Sequence, residues 1–562
     1  MQSNPYDFYR SVVFGNVYKF LSCIDKAEVS PTRGCADRHF WKYVLLRRFA
    51  SASYQQPIVS LALLYKTNFP DNKLYNSKCV LNIIIDLFHY WMSIQHKDGS
   101  FDEWFKGERS FCTSSFTSWA VAESLYLIKD DYALSSREEE ALKRAQSYLS
   151  RNHNPLAANQ MLASSLALYY LGRIVADSKG AGEFDERLNE TLSMQSPEGW
   201  FNEYGGPDLG YSFLHLDFLC DLQKVCGLST LTGSIDRLLS FMACVLGPHG
   251  EVCGELSSRE TAHVLPYGLE YLSRIHPVAW QIRRNIFEGY ERGVLLRPEY
   301  LDDKYIFYFY LNSFTKALIE CLRGDKSKDT GFDPPRNTHF REAGLFCIHE
   351  KENSYFFHYG KGGIVRVYGD FETYVDKGYL LKIDNTVYVS GANNAFVSNG
   401  EIYSSVSQFY RICRIPRFPF AIDICIRSVI AAIPFINRFL KKIFFKMNLA
   451  HRTIPVYLHR DVSFKREEVI IRDTIRCEDA VLRKRIDLFS ENKFQEALVS
   501  MSSGFFSSDW LKPTAVSANM EGRLIEVLKE KGSVTLVKKI ILANTVSVEV
   551  NIDEGTCSYT TE

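Results

Sequence analysis

The chain has 562 residues, with 66 Lys and Arg against 66 Asp and Glu. That length exceeds one ordinary hydrophobic core and predicts roughly two to four domains, while the balanced charge excludes a global field for nucleic acid, so no nucleic-acid partner is expected. The fourteen cysteines form no CxxC pair and no Cys/His group, which argues against a zinc site and fits reduced thiols; neither a metal nor a cofactor is expected.

The first thirty residues lack a basic start, a long apolar stretch and a small-residue cleavage site. No apolar run reaches the roughly 18 residues of a membrane span, so the expected location is cytoplasmic, with at most a peripheral place on an inner membrane. Apolar segments then recur at helical spacing: PIVSLALLY (57–65), FTSWAVAESLYL (116–127), MLASSLALYYLG (161–172), YSFLHLDFLCDL (211–222), VLPYGLEYL (264–272) and FYLNSFTKALIECL (309–322). Their spacing is that of a repeated helix pair. Between several of them lies a second repeat: DGSFDEW from Asp98, EGWFNEY from Glu198 and HGEVCGE from His249, with starts 100 and then 51 residues apart. In each, a glycine reverses the chain, an extended apolar piece follows and an acid closes it.

An amphipathic helix pair cannot bury its apolar face alone, so residues 1–325 are expected to stack as an (α/α) toroid of about six pairs. Residues just ahead of the apolar segments then converge on one mouth: Gln55 and Gln56, Thr113 and Ser114, Asn159 and Gln160, Tyr204 and Tyr211, Arg259 and His263. A polar Gly/Pro stretch (326–339) reads as a linker. Beyond it, 340–562 switches to short β-branched and aromatic runs separated by turns, the pattern of an antiparallel β-sandwich. The predicted class is therefore α+β multidomain. Within the second domain, 411–452 carries nine Lys or Arg and one Asp among Phe, Ile and Leu. This amphipathic insertion is expected either to pack on the toroid or to meet an anionic membrane surface.

With ANQMLASSLALYYLG followed one repeat later by PEGWFNEYGGPDLGYSFLHLDFL, the chain resembles the heparinase II/III-like polysaccharide lyases, in particular bacterial members associated with surface-polysaccharide biosynthesis. GCADRHFWKY (34–43), DEWFKGERSFCTSSFTSWAVAESL (102–125), ELSSRETAHVLPYGLEYL (255–272) and FREAGLFCIHEKENSYFFHYGKGGIVRVYG carry the same resemblance. It implies β-elimination on a uronate-containing polysaccharide or lipid-linked oligosaccharide, with Asn159 on the carboxylate side and Tyr211 as base, acid or both. Arg259 suits a uronate carboxylate through its planar fork, and His263, four residues on, suits the second proton transfer. The sequence departs from the family in two places. The family's Asn-His pair is Asn159-Gln160, and its HxHxD stretch is absent, leaving His358 as the nearest substitute. Arg38, Trp41, Trp104, Glu108, Asn202, Glu203, Tyr204, His215 and Tyr267 complete the expected substrate-binding set.

Three other readings compete. A glycoside hydrolase would use two carboxylates among Glu103, Glu108, Glu203 and Glu255. A uronate C5-epimerase would need the same groups as elimination. A non-catalytic glycan-binding or assembly protein would use Trp41, Trp104 and Trp200 as stacking platforms. The turns also resemble triterpene-cyclase repeats, but the acidic cluster that those enzymes need is missing.

Overall fold

The computed structural model describes residues 4–43, 48–175, 180–324, 334–350, 353–369, 373–398, 401–411, 452–465, 468–491, 518–542 and 546–552. The basic insertion predicted at 411–452 falls almost wholly on 412–451, outside the described residues.

The first helix, α1 (Pro5–Cys23), starts where Asn4 accepts the Tyr6 amide and Pro5 fills the first turn. A one-turn helix α2 (Arg38–Trp41) precedes α3 (Ile58–Lys66), α4 (Lys78–Ser93), α5 (Phe111–Leu127), α6 (Ser136–Arg151), α7 (Ala158–Ile174) and α8 (Gly180–Leu192). Then come α9 (Leu209–Cys226), α10 (Thr230–Val245), α11 (Tyr267–Leu272), α12 (Pro277–Arg292), the single turn α13 (Asp303–Tyr305), a π-helical turn (Ile306–Tyr310) and α14 (Leu311–Cys321). Along α7 every residue from Ala158 to Leu171 is buried, and α5 and α9 are enclosed almost as completely. Such all-round burial marks inner helices, whereas α4, α6, α10 and α12 hide one face only.

The packing order follows from this. The helices α3, α5, α7, α9, α11 and α14 each lie against the next, and α14 returns against α3, closing a ring. Outside it, α4 backs α3, α6 and α8 back α7, α10 backs α9, α12 backs α11 and α1 backs α14. At the heart of the ring, Lys316 of α14 is held between Glu123 of α5 and Asp221 of α9, at 2.8 and 2.5 Å. A buried charge is tolerable only when so compensated.

All strands are antiparallel. The first sheet runs in the order β1 (Asn337–Phe340), β2 (Leu345–His349), β3 (Ser354–His358), β4 (Ile364–Tyr368), β5 (Thr373–Asp376). The second contains β6 (Tyr379–Ile383), β7 (Thr386–Ser398), β8 (Tyr403–Arg411), β9 (Thr453–Lys465), β10 (Glu468–Cys477), β11 (Ile486–Glu491), β12 (Ser533–Leu542) and β13 (Val546–Ile552). Its spatial order is β11-β6-β7-β8-β9-β10-β12-β13, with short helices at Ala480–Lys484 and Ala518–Lys531. Tyr355, Phe357, Val365 and Val367 of the first sheet share one core with Leu381, Leu458, Ile471 and Leu536 of the second.

The helical and β parts are joined by a separate apolar cluster. Trp200, Phe241, Cys253 and Leu256 from the ring meet Phe340, Leu345, Cys347, Phe356 and Tyr368 from the first sheet. Polar clamps flank it: Glu198 accepts the amides of Glu342 and Ala343, Lys361 pairs with Glu260 at 3.1 Å, and Arg366 pairs with Glu255 at 3.3 Å. Among the described residues no helix is long and apolar enough to cross a membrane.

Candidate active site

Two copies of the glycine turn can be compared directly. In the first, the Asp102 carbonyl accepts the Ala52 amide ahead of α3; in the second, the Asn202 carbonyl accepts the Ala158 amide at the start of α7. The acid that closes each turn differs in its surroundings. Glu103 is fully engaged: it accepts from the Thr113 hydroxyl and the Tyr308 phenol, both at 2.8 Å, and Lys304 lies 3.6 Å away. Glu203 is wholly buried and accepts from the Asn159 amide at 2.8 Å and pairs with His215 Nε2 at 2.9 Å, yet among the described residues its Oε2 has no hydrogen-bond partner. Asn159 Nδ2 and His215 Nδ1 are likewise buried without hydrogen bonds. Buried polar atoms are normally paired, so Glu203, Asn159 and His215 carry unspent hydrogen-bonding capacity among the described residues.

The Glu203 carboxylate does for α7 what a capping side chain would do. The cap residue is Ala157, which offers no acceptor, and a carboxylate at a helix N-terminus is favoured by the exposed amides. One residue on, Tyr204 adopts φ +55° and its phenol oxygen accepts from Gln160 Nε2 at 3.2 Å. The Arg259 guanidinium lies over the Tyr204 ring at 4.5 Å and over the Tyr211 ring at 5.4 Å. Arg259 is 8% exposed, and among the described residues its side chain makes neither an ion pair nor a hydrogen bond. The edge of the Tyr211 ring meets His263 with centroids 5.1 Å apart, and Phe309 of the π-helical turn stacks near both.

Burial sets the protonation states. It pushes the Tyr211 phenol well above its ordinary value, with Arg259 only partly opposing, so the phenol is held protonated. It pushes the His263 imidazole down to about 3, with Arg259 adding to the effect, so the ring is held neutral. A protonated phenol and a neutral imidazole therefore meet beside the Arg259 cation, whose charge the Glu203 and Asp208 carboxylates favour.

Asn159, Tyr204, Tyr211, Arg259 and His263 are thus brought together, with Glu203 and Gln160 beside them. Trp104, 40% exposed, faces Lys304, whose Nζ is 3.1 Å from the ring centroid, at the Glu103 end. Several expectations are revised. Glu108 Oε2 accepts the amides of Glu103, Trp104 and Phe105, so that oxygen is spent on the turn. His215 has no exposed surface and works through Glu203. Tyr267, expected in the substrate-binding set, is buried, with Lys316 5.6 Å from its ring. Asn202 is a turn residue, its Oδ1 accepting the Gly205 amide. Trp41 donates Nε1 to the Cys23 carbonyl and packs with Cys35 and Tyr90, which makes it a structural residue; Arg38 sits beside it on α2. His358 is buried at the domain junction, its Nδ1 against the Gly344 carbonyl at 3.1 Å, and is pushed down to about 3 by burial and Lys361.

Sequence reasoning missed Asp208, Lys304 and Tyr308. The tandem aromatics of 305–310 gave no sign that Tyr308 would reach Glu103, a partner 205 residues away. The Gly-Pro-Asp ahead of an apolar helix was the readable signal for Asp208 as a cap.

No protein-family model and no curated protein matches the sequence. Comparison with solved structures finds polysaccharide lyases. Chondroitin AC lyase of Streptomyces coelicolor A3, determined with chondroitin sulphate, superposes with TM-score 0.50 at 8% identity, covering 86% of this chain and 68% of its own. Xanthan lyase of Paenibacillus gives 0.46 at 11% identity over 87% of this chain and 47% of its own, so the present chain spans about half that enzyme's length. Heparan sulfate lyase HepC of Pedobacter heparinus gives 0.33 at 9% identity over 66% and 54%. At 8% identity the likeness to the chondroitin lyase concerns the fold alone.

Proposed function

We propose that this chain is a lyase-like carbohydrate-active enzyme with a toroid of six helix pairs, acting on a uronate-containing polysaccharide by β-elimination. The observation that carries the reading is Arg259, a buried guanidinium stacked over two tyrosines whose side chain makes no hydrogen bond or ion pair among the described residues. A charge-assisted hydrogen bond from such a side chain to an anionic ligand group is worth about 1.5–3 kcal/mol. A uronate carboxylate is such a group, and Asn159 Nδ2 supplies a second unspent donor for it.

Neutralising that carboxylate acidifies the adjacent C5–H. Neutral His263 takes the C5 proton, the C4–C5 double bond forms as the C4–O4 bond breaks, and Tyr211 gives its phenolic proton to the departing oxygen. Arg259 then faces a phenolate, and proton exchange with solvent returns Tyr211 to the phenol and His263 to the neutral imidazole. The opposite environmental shifts fix only the resting states, a protonated Tyr211 and a neutral His263.

The test is incubation with a panel of uronate polysaccharides, reading the ultraviolet absorbance of the unsaturated product. Wild type should give product, and Tyr211→Phe should abolish it without loss of helical circular dichroism. New reducing ends without ultraviolet absorbance would instead assign hydrolysis, and solvent-hydrogen exchange at C5 without chain cleavage would assign epimerisation. Binding without any of these reactions would leave a glycan-binding protein.

A further inference from the structure

The reaction geometry above depends on Tyr211 and Arg259 holding a fixed relation, yet they lie 48 residues apart and on different elements. Tyr211 is in the first turn of α9, and Arg259 is in an irregular segment ahead of α11. One side chain touches both backbones. Asp208, with no exposed surface, accepts the Tyr211 amide through Oδ1 at 3.0 Å and the Arg259 amide through Oδ2 at 3.1 Å. The Thr261 hydroxyl also donates to Oδ1, and the Thr261 amide to Oδ2 at 3.5 Å.

The sequence around Asp208 is fitted to this contact. Ser257 Oγ accepts the Leu209 amide at 2.8 Å, and the Ser258 amide donates to the Pro207 carbonyl at 2.8 Å. Gly210 permits the close approach, since a Cβ there would lie 2.3 Å from Thr261 Oγ1. We propose that Asp208 is a positioning residue that locks the 257–261 segment onto the start of α9 and so sets Arg259 against Tyr211. A pair of oxygens on one buried carboxylate, each reading a different strand of chain, fixes distance and orientation where loop backbone alone would not. Asp208 acts through Tyr211 and Arg259 and touches no substrate; its role in catalysis rests on the elimination reading.

Two full-length variants separate positioning from folding. Asp208→Ser keeps a helix cap for the Tyr211 amide but cannot reach the Arg259 and Thr261 amides. Gly210→Ala keeps the carboxylate but wedges Thr261 away, at a site where alanine favours the helix itself. Both should speed amide hydrogen exchange in 257–261 by about tenfold or more while the later turns of α9 stay protected. Both should lower kcat/KM on the uronate substrate by at least about tenfold, and the double variant should lose little more than either single one. Unchanged exchange at 257–261 in Asp208→Ser overturns the proposal, as does faster exchange with wild-type kcat/KM. If wild type gives no unsaturated product, the elimination reading fails by itself, and the exchange measurement alone decides whether Asp208 holds the segment.

Discussion

Gly199 is an exacting point of the repeated turn. Its φ is +103°, and a Cβ built there would lie 2.2 Å from the Arg237 carbonyl oxygen and 2.8 Å from its carbon, both backbone atoms of α10. Gly99, at the same place one copy earlier, has φ +93° and a Cβ position 2.0 Å from the Arg144 carbonyl of α6. Gly227, which ends α9 at φ +64°, has nothing within 4 Å of its Cβ position and serves as the reference. Alanine at Gly227 incurs about 1–2 kcal/mol of left-handed strain, partly offset by a stiffer unfolded chain, for a net loss of about 1 kcal/mol. Alanine at Gly199 adds a backbone overlap that only separation of the turn from α10 can relieve, so the expected loss is about 3–5 kcal/mol. Denaturant unfolding followed by far-ultraviolet circular dichroism should show Gly199→Ala and Gly99→Ala with much lower midpoints than Gly227→Ala. Equal midpoints for the three variants would refute the view that contact between this turn and the outer helix sets the repeat.

Other expectations concern buried charge. Arg460, with no exposed surface, donates to Asp473 twice at 2.7 Å and to Asp376 at 2.8 Å. Arg460→Met leaves both carboxylates without that partner and should destabilise the β domain by about 3–5 kcal/mol, read as a fall in Tm. In acid, His263 and His358, each held down to about 3, stay neutral while their unfolded counterparts bind protons below about 6.5. Stability is therefore complete above pH 6.5 and falls towards pH 3, by about 1.4 kcal/mol per pH unit for each histidine. Asp217, pushed up to about 7 by burial, works in the opposite sense, since the folded state holds its proton in that window. The comparison to make is thus His358→Gln against wild type in urea at pH 7, 6 and 5, where the variant should lose the slope of one histidine. A parallel pair of curves would show that His358 is not held neutral. Arg259→Lys keeps the charge but loses the planar stack on Tyr204 and Tyr211, and should weaken binding of a uronate oligosaccharide by at least about tenfold in calorimetry.

The helical ring was legible because its causes are local. Apolar spacing revealed the helix pairs, and Gly99, Gly199 and Gly250 marked reversals whose residues had to be glycine. Gly34 makes the same contact, its Cβ position 2.0 Å from the Asp86 carbonyl, but "RGC" lacks the flanking pattern and was not recognised as a copy. The two antiparallel sheets were equally readable from alternation and turns, although their strand order was not, because β11 pairs with β6 across about a hundred residues.

The candidate site was legible as a list of rim residues but not as a set of roles. Asn159 and Tyr211 lie in the first turns of α7 and α9, whereas Arg259 and His263 lie in the irregular segment ahead of α11, whose conformation spacing does not reveal. Glu108, His215 and Tyr267 had equal claim by type and position, and only burial and partners separate them: one carboxylate oxygen is consumed by amides, one imidazole is hidden behind Glu203, and one phenol is turned to the ring interior. Sequence alone determined the repeat and the change from helix to strand, because periodicity and turn chemistry act over a few residues. Tertiary structure alone decided that both oxygens of Glu103 accept hydrogen bonds while, among the described residues, Glu203 Oε2 does not, that the Arg259 side chain makes no hydrogen bond or ion pair among the described residues, and that Asp208 accepts the amides of both Arg259 and Tyr211. Those are statements about which polar groups find partners, and partners tens to hundreds of residues apart are chosen by packing, not by spacing along the chain.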